Sequence, residues 1–180
     1  MKENLQKPVG LTKGPGETAH EFIFISPDRK QELKVGEFIF YQLEIGGEKR
    51  DVLSRVTQRQ LTRLLPNSFL ANPDVNPEEV AALVGYQRKK HDLFEITATI
   101  IGFYDKGIGD FINPRLPPRS GHPIFLADDK VLAKVLTKQE RNQVGSALIG
   151  SLLSRDTDRV PITVDVGAIA STHLAIIANT

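Results

Sequence analysis

Gly46-Gly47 is the feature that most constrains this chain. It stands between EFIFYQLEI (37–45) and KRDVLSRVTQRQ (49–60), two segments of strand character. A two-residue loop of glycines supplies the positive φ angles that a tight hairpin turn needs, so Ile45-Gly46-Gly47-Glu48 predicts an antiparallel β-hairpin. In the return strand Val52 and Ser54 alternate with Leu53 and Arg55, which leaves one face open to water. Two further segments extend the β pattern. HEFIFIS (20–26) places Phe22 and Phe24 on one face and Ile23 and Ile25 on the other, so it is expected to be covered on both sides. DLFEITATIIGFYD (92–105) is long and rich in β-branched residues. Val9-Gly10-Leu11-Thr12 adds a short strand before the KGPGE turn. The first half is therefore mainly β.

Between 64 and 90 the character changes to a loop with one helix. Asn76 suits the N-cap, Pro77 the first helical position, and Glu78-Glu79 the positive end of the dipole, while Gly85 ends the helix. KGIGDFINPRLPPRSGHP (106–123) holds four prolines and reads as turn and crossover. The expected division is a β-barrel with one inserted helix over 1–118, then a crossover and a second, α/β region over 119–180. In that region DDKVLAKVLT is helical, with Val131, Leu132 and Val135 on one side. VPITVDV and HLAIIA read as strands of a parallel sheet, bridged by GAIAST.

Composition narrows the function classes. The 180 residues carry a net charge of +1, so no global field demands a nucleic acid or a membrane. There is no cysteine, which excludes a disulfide scaffold and any Cys-ligated metal. No apolar run approaches the roughly 20 residues of a membrane span, and a cytoplasmic location fits. The four histidines, His20, His91, His122 and His173, do not pair at helical spacing, so no metal site is expected. Glu78-Glu79 and Asp128-Asp129 read as helix-start carboxylates, and no catalytic acid-base set can be assembled. Arg55, Arg59 and Arg63 recur every four residues, which forms one stripe on a helix and shares a face on a strand; a solvated face is the plainer reading, and a stripe that tracks phosphates makes them the candidate DNA or interface patch. Tyr86 beside Arg88-Lys89-Lys90 is a weaker base-stacking candidate. Gly107-Ile108-Gly109 follows a strand, but no helix pattern follows it, so it reads as a turn rather than a phosphate cradle.

THLAIIANT (172–180) carries the strongest functional signal. An apolar strand running into small residues is how a chain enters a phosphate-binding loop, whose first residue must be small because the backbone wraps the phosphates. Ala178 fits that first place, with Asn179 and Thr180 in the next two; these three are the candidate nucleotide-binding residues, the start of an incomplete loop. The order Ile149-Gly150, Val160-Pro161, Asp165, His173, then Leu174 to Ala178, resembles the segment before the phosphate loop in the HerA family of hexameric DNA-translocating ATPases. PRLPPRSGHPIFLA resembles that family's crossover, and VGLTKG, EFIFIS and VGEFIFYQLE resemble its N-terminal HerA–ATP synthase barrel. The resemblance covers about residues 7 to 180.

The resemblance implies a mainly β fold: a small barrel, a helix and the first strands of an incomplete RecA-like ATPase domain. It implies a longer parent that uses ATP and magnesium, forms a hexameric ring and drives duplex DNA through its channel in double-strand-break end processing. It also implies a NurA-type nuclease as partner. The present residues are expected to serve ring assembly and nuclease docking without ATPase activity, since the phosphate-loop lysine is not among them. His173 matches a motif position and is not assigned a catalytic role. Three alternatives stand beside this reading: a stand-alone β-barrel interaction module, part of a rotary-ATPase-like nucleotide-binding subunit, which shares the barrel, and a self-contained enzyme with a β-barrel and a small α/β lobe, which lacks an acid-base or nucleophile constellation in the sequence.

Overall fold

A computed structural model describes residues 7–62, 71, 74, 76–83, 85, 91–105, 107–137, 143–155 and 159–171. The chain divides into two compact units, with the break between Leu126 and Ala127. The first unit contains strands β1 (Gly10–Pro15), β2 (Glu21–Ser26), β3 (Phe38–Ile45) and β4 (Glu48–Leu61), then helix α1 (Pro77–Leu83) and strands β5 (Phe94–Asp105), β6 (Asp110–Ile112) and β7 (Pro123–Leu126). The second contains α2 (Asp129–Leu136), β8 (Ser146–Ser151), β9 (Pro161–Asp165) and α3 (Val166–Ala170).

The fold is mainly β. The sheet order is β2-β1-β7-β3-β4-β5-β6, and β2 also pairs with β5, from Glu21 opposite Thr99 to Ser26 opposite Phe94. That pairing closes six antiparallel strands into a barrel and leaves β6 as an extra strand on β5. Closure removes both sheet edges, a stable answer for a sheet of this size. The β3–β4 hairpin turns where its glycines require, with φ of 61° at Gly46 and 82° at Gly47. At Gly102, φ of 142° and the close approach of the Ile112 carbonyl leave no room for a Cβ; there the pairing of β5 with β4 ends and its pairing with β6 begins.

One face of every barrel strand fills the interior. Phe22, Phe24, Ile39, Tyr41, Val52 and Ile96 are fully buried there. Phe22 meets Tyr41 edge-on at 5.4 Å between ring centres. Strand β2 was expected to be covered on both faces; instead Phe22 and Phe24 are buried while Ile23 and Ile25 are only half-buried. A six-stranded barrel has one interior, so the second face of β2 lies on the outer wall. The expected division after residue 118 falls inside this unit, because β7 pairs with both β1 and β3.

The proline-rich segment before β7 is tied to the barrel by hydrogen bonds. The Tyr41 hydroxyl donates to the Leu116 carbonyl at 2.9 Å, the Asn113 amide to the Ile100 carbonyl at 3.1 Å, and the Thr12 hydroxyl to the His122 carbonyl at 3.0 Å. Burial pushes the Tyr41 phenol well above its ordinary value. An unfolded chain releases that proton near pH 10 while the folded one holds it, so stability falls as pH rises beyond about 10. Tyr41→Phe is expected to cost about 1 kcal/mol at pH 7 through the lost hydrogen bond. The gap to the parent should narrow or reverse in thermal melts at pH 11; an unchanged gap would remove Tyr41 as the titrating group.

In the second unit, Asp128 caps α2 by accepting from the Lys130 amide at 3.0 Å, and Asp129 pairs with Arg155 at 2.7 Å. Both carboxylates thus do structural work at a helix start, in line with the dipole. Leu132 is fully buried and Val131 is half-exposed, so the apolar side of α2 is narrower than its sequence suggests. Strand β9 pairs antiparallel with β8, from Ser146 opposite Asp165 to Ser151 opposite Pro161. The expected parallel arrangement of VPITVDV is therefore not what this strand adopts among the described residues. The bridge GAIAST is largely helix α3, capped by the Asp165 carboxylate accepting from the Ala168 amide at 3.0 Å. HLAIIA lies outside the described residues. No helix among those described is long and apolar enough to cross a membrane.

Candidate interaction surface at one end of the barrel

The arginine pattern leads to the site. Strand β4 faces Arg55 with Thr99 and Arg59 with Ile96, but its pairing with β5 slips between Val56 and Gln58. The extra residue is Thr57, and one extra residue reverses the alternation of faces beyond it. Thr99 lies on the outer wall and Ile96 is fully buried, so Arg55 points outward and Arg59 comes to the inner side at the barrel mouth. The structure therefore does not bring Arg55 and Arg59 to one face. Arg63 lies outside the described residues, as do Tyr86, Arg88, Lys89, Lys90, His173 and the phosphate-loop candidates Ala178, Asn179 and Thr180.

Arg59 is held by two partners. Its guanidinium lies 3.5 Å over the Phe94 ring, and it donates to Asp28 Oδ2 from Nη2 at 3.1 Å and from Nε at 3.3 Å. Stacking plus a forked hydrogen bond is a geometry that arginine satisfies and lysine does not. The Asp28 side chain is 3% exposed, and its Oδ1 accepts from the Glu32 and Leu33 amides at 2.9 and 3.3 Å. The Asp28 amide donates in turn to Ser26 Oγ at 3.0 Å, and that hydroxyl donates to the Val9 carbonyl at 2.6 Å. This network fixes the 27–36 connection, where Asp28 and Gln31 both have positive φ. Aspartate tolerates that backbone because its short side chain bonds locally.

Beside the network is a hollow of about 340 Å³. Pro8, Val9 and Pro27 give it apolar walls, Lys7, Arg29 and Lys30 add positive charge, and Asp28 and Glu32 also line it, Asp28 being neutralised by Arg59. Lys30 lies 4.0 Å from Glu32 in an exposed pair, a weak tie. A second hollow, of about 440 Å³, is lined by Glu17, Glu21, Glu95 and neighbouring amide and hydroxyl side chains on the outer wall. Among the described residues no group of three His, Asp or Glu is placed to hold a metal. The arrangement has binding chemistry rather than bond-making chemistry: a hollow with apolar walls and charged neighbours of both signs, held by the Asp28 network at one end of the barrel. In sequence PDRKQELKVG (27–36) reads only as a polar connection, with no hollow in it. The available signal was Arg29-Lys30 between two apolar strands, after a Pro-Asp turn.

No family model matches the chain. A protein named as a probable helicase of Methanocaldococcus jannaschii is 40% identical over 67 residues, which cover 37% of this chain and 12% of that relative. The chain thus has a partial, helicase-like link, over a small part of the relative's length.

Proposed function

We propose that this chain is the N-terminal part of a HerA-type DNA-translocating ATPase that acts in DNA double-strand-break end processing in the cytoplasm. What supports the reading is one conjunction: a closed six-stranded barrel in a chain that shares 40% identity over 67 residues with a protein named as a probable helicase. ATP hydrolysis with magnesium, at a phosphate loop that Ala178, Asn179 and Thr180 begin, belongs to the parent's ATPase domain. The barrel serves hexameric ring assembly and docks a NurA-type nuclease, and duplex DNA passes through the ring. Arg55, which faces outward, remains the member of the arginine set suited to a channel or interface; Arg59 is engaged by Asp28 and Phe94.

Calorimetric titration of the 180-residue chain with the NurA-type nuclease of the same organism tests this function. Saturable binding is expected, and so is inhibition of DNA-end resection when the chain is added in excess over the intact translocase. No heat of binding and no inhibition at saturating concentration would sink the docking role.

A further inference from the structure

At the far end of β5 from the Arg59 network, the β5–β6 hairpin presents an apolar tip. Ile108 is 70% exposed and Tyr104 45% exposed, and Tyr104 stands edge-on to Phe111 at 5.8 Å. Immediately behind the tip, Asp105 and Asp110 are direct cross-strand partners. Like charges in that position repel, so a strand pair that carries them is raised in free energy unless a positive group approaches. Asp105 Oδ1 accepts from the Gly107 and Ile108 amides, and Asp110 Oδ1 from the Phe111 amide. Those bonds shape the turn and engage one oxygen of each carboxylate. With Lys106 counted from the sequence, the tip is still net negative.

The same chain carries a receptor of opposite character. The hollow of Pro8, Val9 and Pro27 has apolar walls, and with Asp28 taken up by Arg59 the cations Lys7, Arg29 and Lys30 outnumber the one remaining carboxylate in its lining, Glu32. It cannot receive its own hairpin. Ser26, which lines the hollow, pairs with Phe94 at the start of β5, whereas Tyr104 and Asp105 close that strand. At about 3.3 Å per residue, twelve residues of strand hold the two features roughly 36 Å apart. A tip and a receptor on opposite ends of one compact unit suit a head-to-tail contact between copies, the kind that generates rings when the rotation closes.

We infer that the β5–β6 hairpin of one copy seats Ile108 in the Pro8–Val9–Pro27 hollow of the next, with Asp105 and Asp110 meeting Lys7 and Lys30. This contact rests on the assembly reading above and names the surfaces that would carry it. The occupant is a second copy because the complementary charge and the complementary apolar surface lie on this same chain.

The absence of natural cysteine makes the test clean. The full 180-residue chain carrying both Gly107→Cys and Glu32→Cys, which flank the contact and leave Ile108 and Lys30 in place, is treated with a short bis-maleimide, and its mass is followed in parallel by sedimentation without the reagent. A covalent ladder from dimer upward is expected from the double variant, and no species beyond dimer from either single variant. Asp110→Lys alone should weaken assembly at least tenfold, and adding Lys30→Glu should restore it. Both sites are exposed, so these variants keep the barrel core intact. Assembly by mass with no ladder and no charge-swap rescue overturns the hairpin contact while leaving ring assembly standing. A monomer at every concentration overturns both.

Discussion

Phe22→Ala unfolds the barrel at markedly lower denaturant, with an expected loss of about 3–5 kcal/mol, the range for emptying a buried phenylalanine site. The size follows from position. Phe22 is fully buried, meets Phe24 at 6.1 Å and Tyr41 at 5.4 Å between ring centres, and sits on β2 opposite Ala98. That pairing of β2 with β5 closes the barrel, so the cavity opens beside the seam rather than in a region that neighbouring chain can fill. Ala98 across the seam is too small to move in, and the Tyr41 ring is held by its hydroxyl at Leu116. The control is the adjacent residue. Ile23→Ala removes a half-buried side chain from the outer wall and should cost about 1 kcal/mol. Urea unfolding followed by far-ultraviolet circular dichroism reads both. Equal losses at the two positions would mean that β2 is covered on both faces, and the closed six-stranded barrel would then be wrong.

That contrast also shows why parts of the fold were legible in the sequence and parts were not. The Gly46-Gly47 turn is local chemistry: two residues must take positive φ, and glycine declares it. Asn76 and Gly85 are equally local, and α1 begins and ends beside them: the Asn76 carbonyl accepts from the Val80 amide, and Gly85 has φ of 70°. Closure is not local. EFIFIS has the same alternation whether its second face meets another layer or solvent, and only the β2–β5 pairing decides between them. The site depended on parity. Arg55 and Arg59 share a face on any unbroken strand, and the single extra residue at Thr57 separates them. Nothing in VTQRQ marks a bulge, since its cause is the register that β5 imposes. Strand β8 was hidden for a different reason: in SALIGS the small residues and Gly150 weaken the β signal, and the strand exists through its pairing with β9. The candidate phosphate loop at Ala178, Asn179 and Thr180 stays a matter of resemblance, because those residues lie outside the ones described.

Asp28→Ala should have the second-largest effect, about 2–4 kcal/mol, and for a different physical reason. The substitution leaves no cavity of consequence. It removes the carboxylate that neutralises Arg59 and, on its other oxygen, the acceptor for the Glu32 and Leu33 amides. The expected loss stays below that of a fully enclosed pair because the Arg59 side chain is 27% exposed and water can reach it. Two companion variants separate the contributions. Asp28→Asn keeps an acceptor for the amides and loses the charge, so it should recover about half of the loss. Arg59→Leu removes the cation while keeping apolar contact with Phe94, and in combination with Asp28→Asn its cost should be smaller than the sum of the two singles. Additive costs would mean that the two side chains do not act together and that Phe94 alone holds Arg59. The network also links the stability of the mouth to binding, because Asp28 shapes the connection that carries Arg29 and Lys30. If the hollow is a receptor, Asp28→Ala must weaken assembly more than its effect on global unfolding predicts, while Phe22→Ala, at concentrations where it stays folded, must leave assembly unchanged. Both results come from the same sedimentation series, and a loss of assembly that merely tracks stability would place the binding surface elsewhere on the barrel.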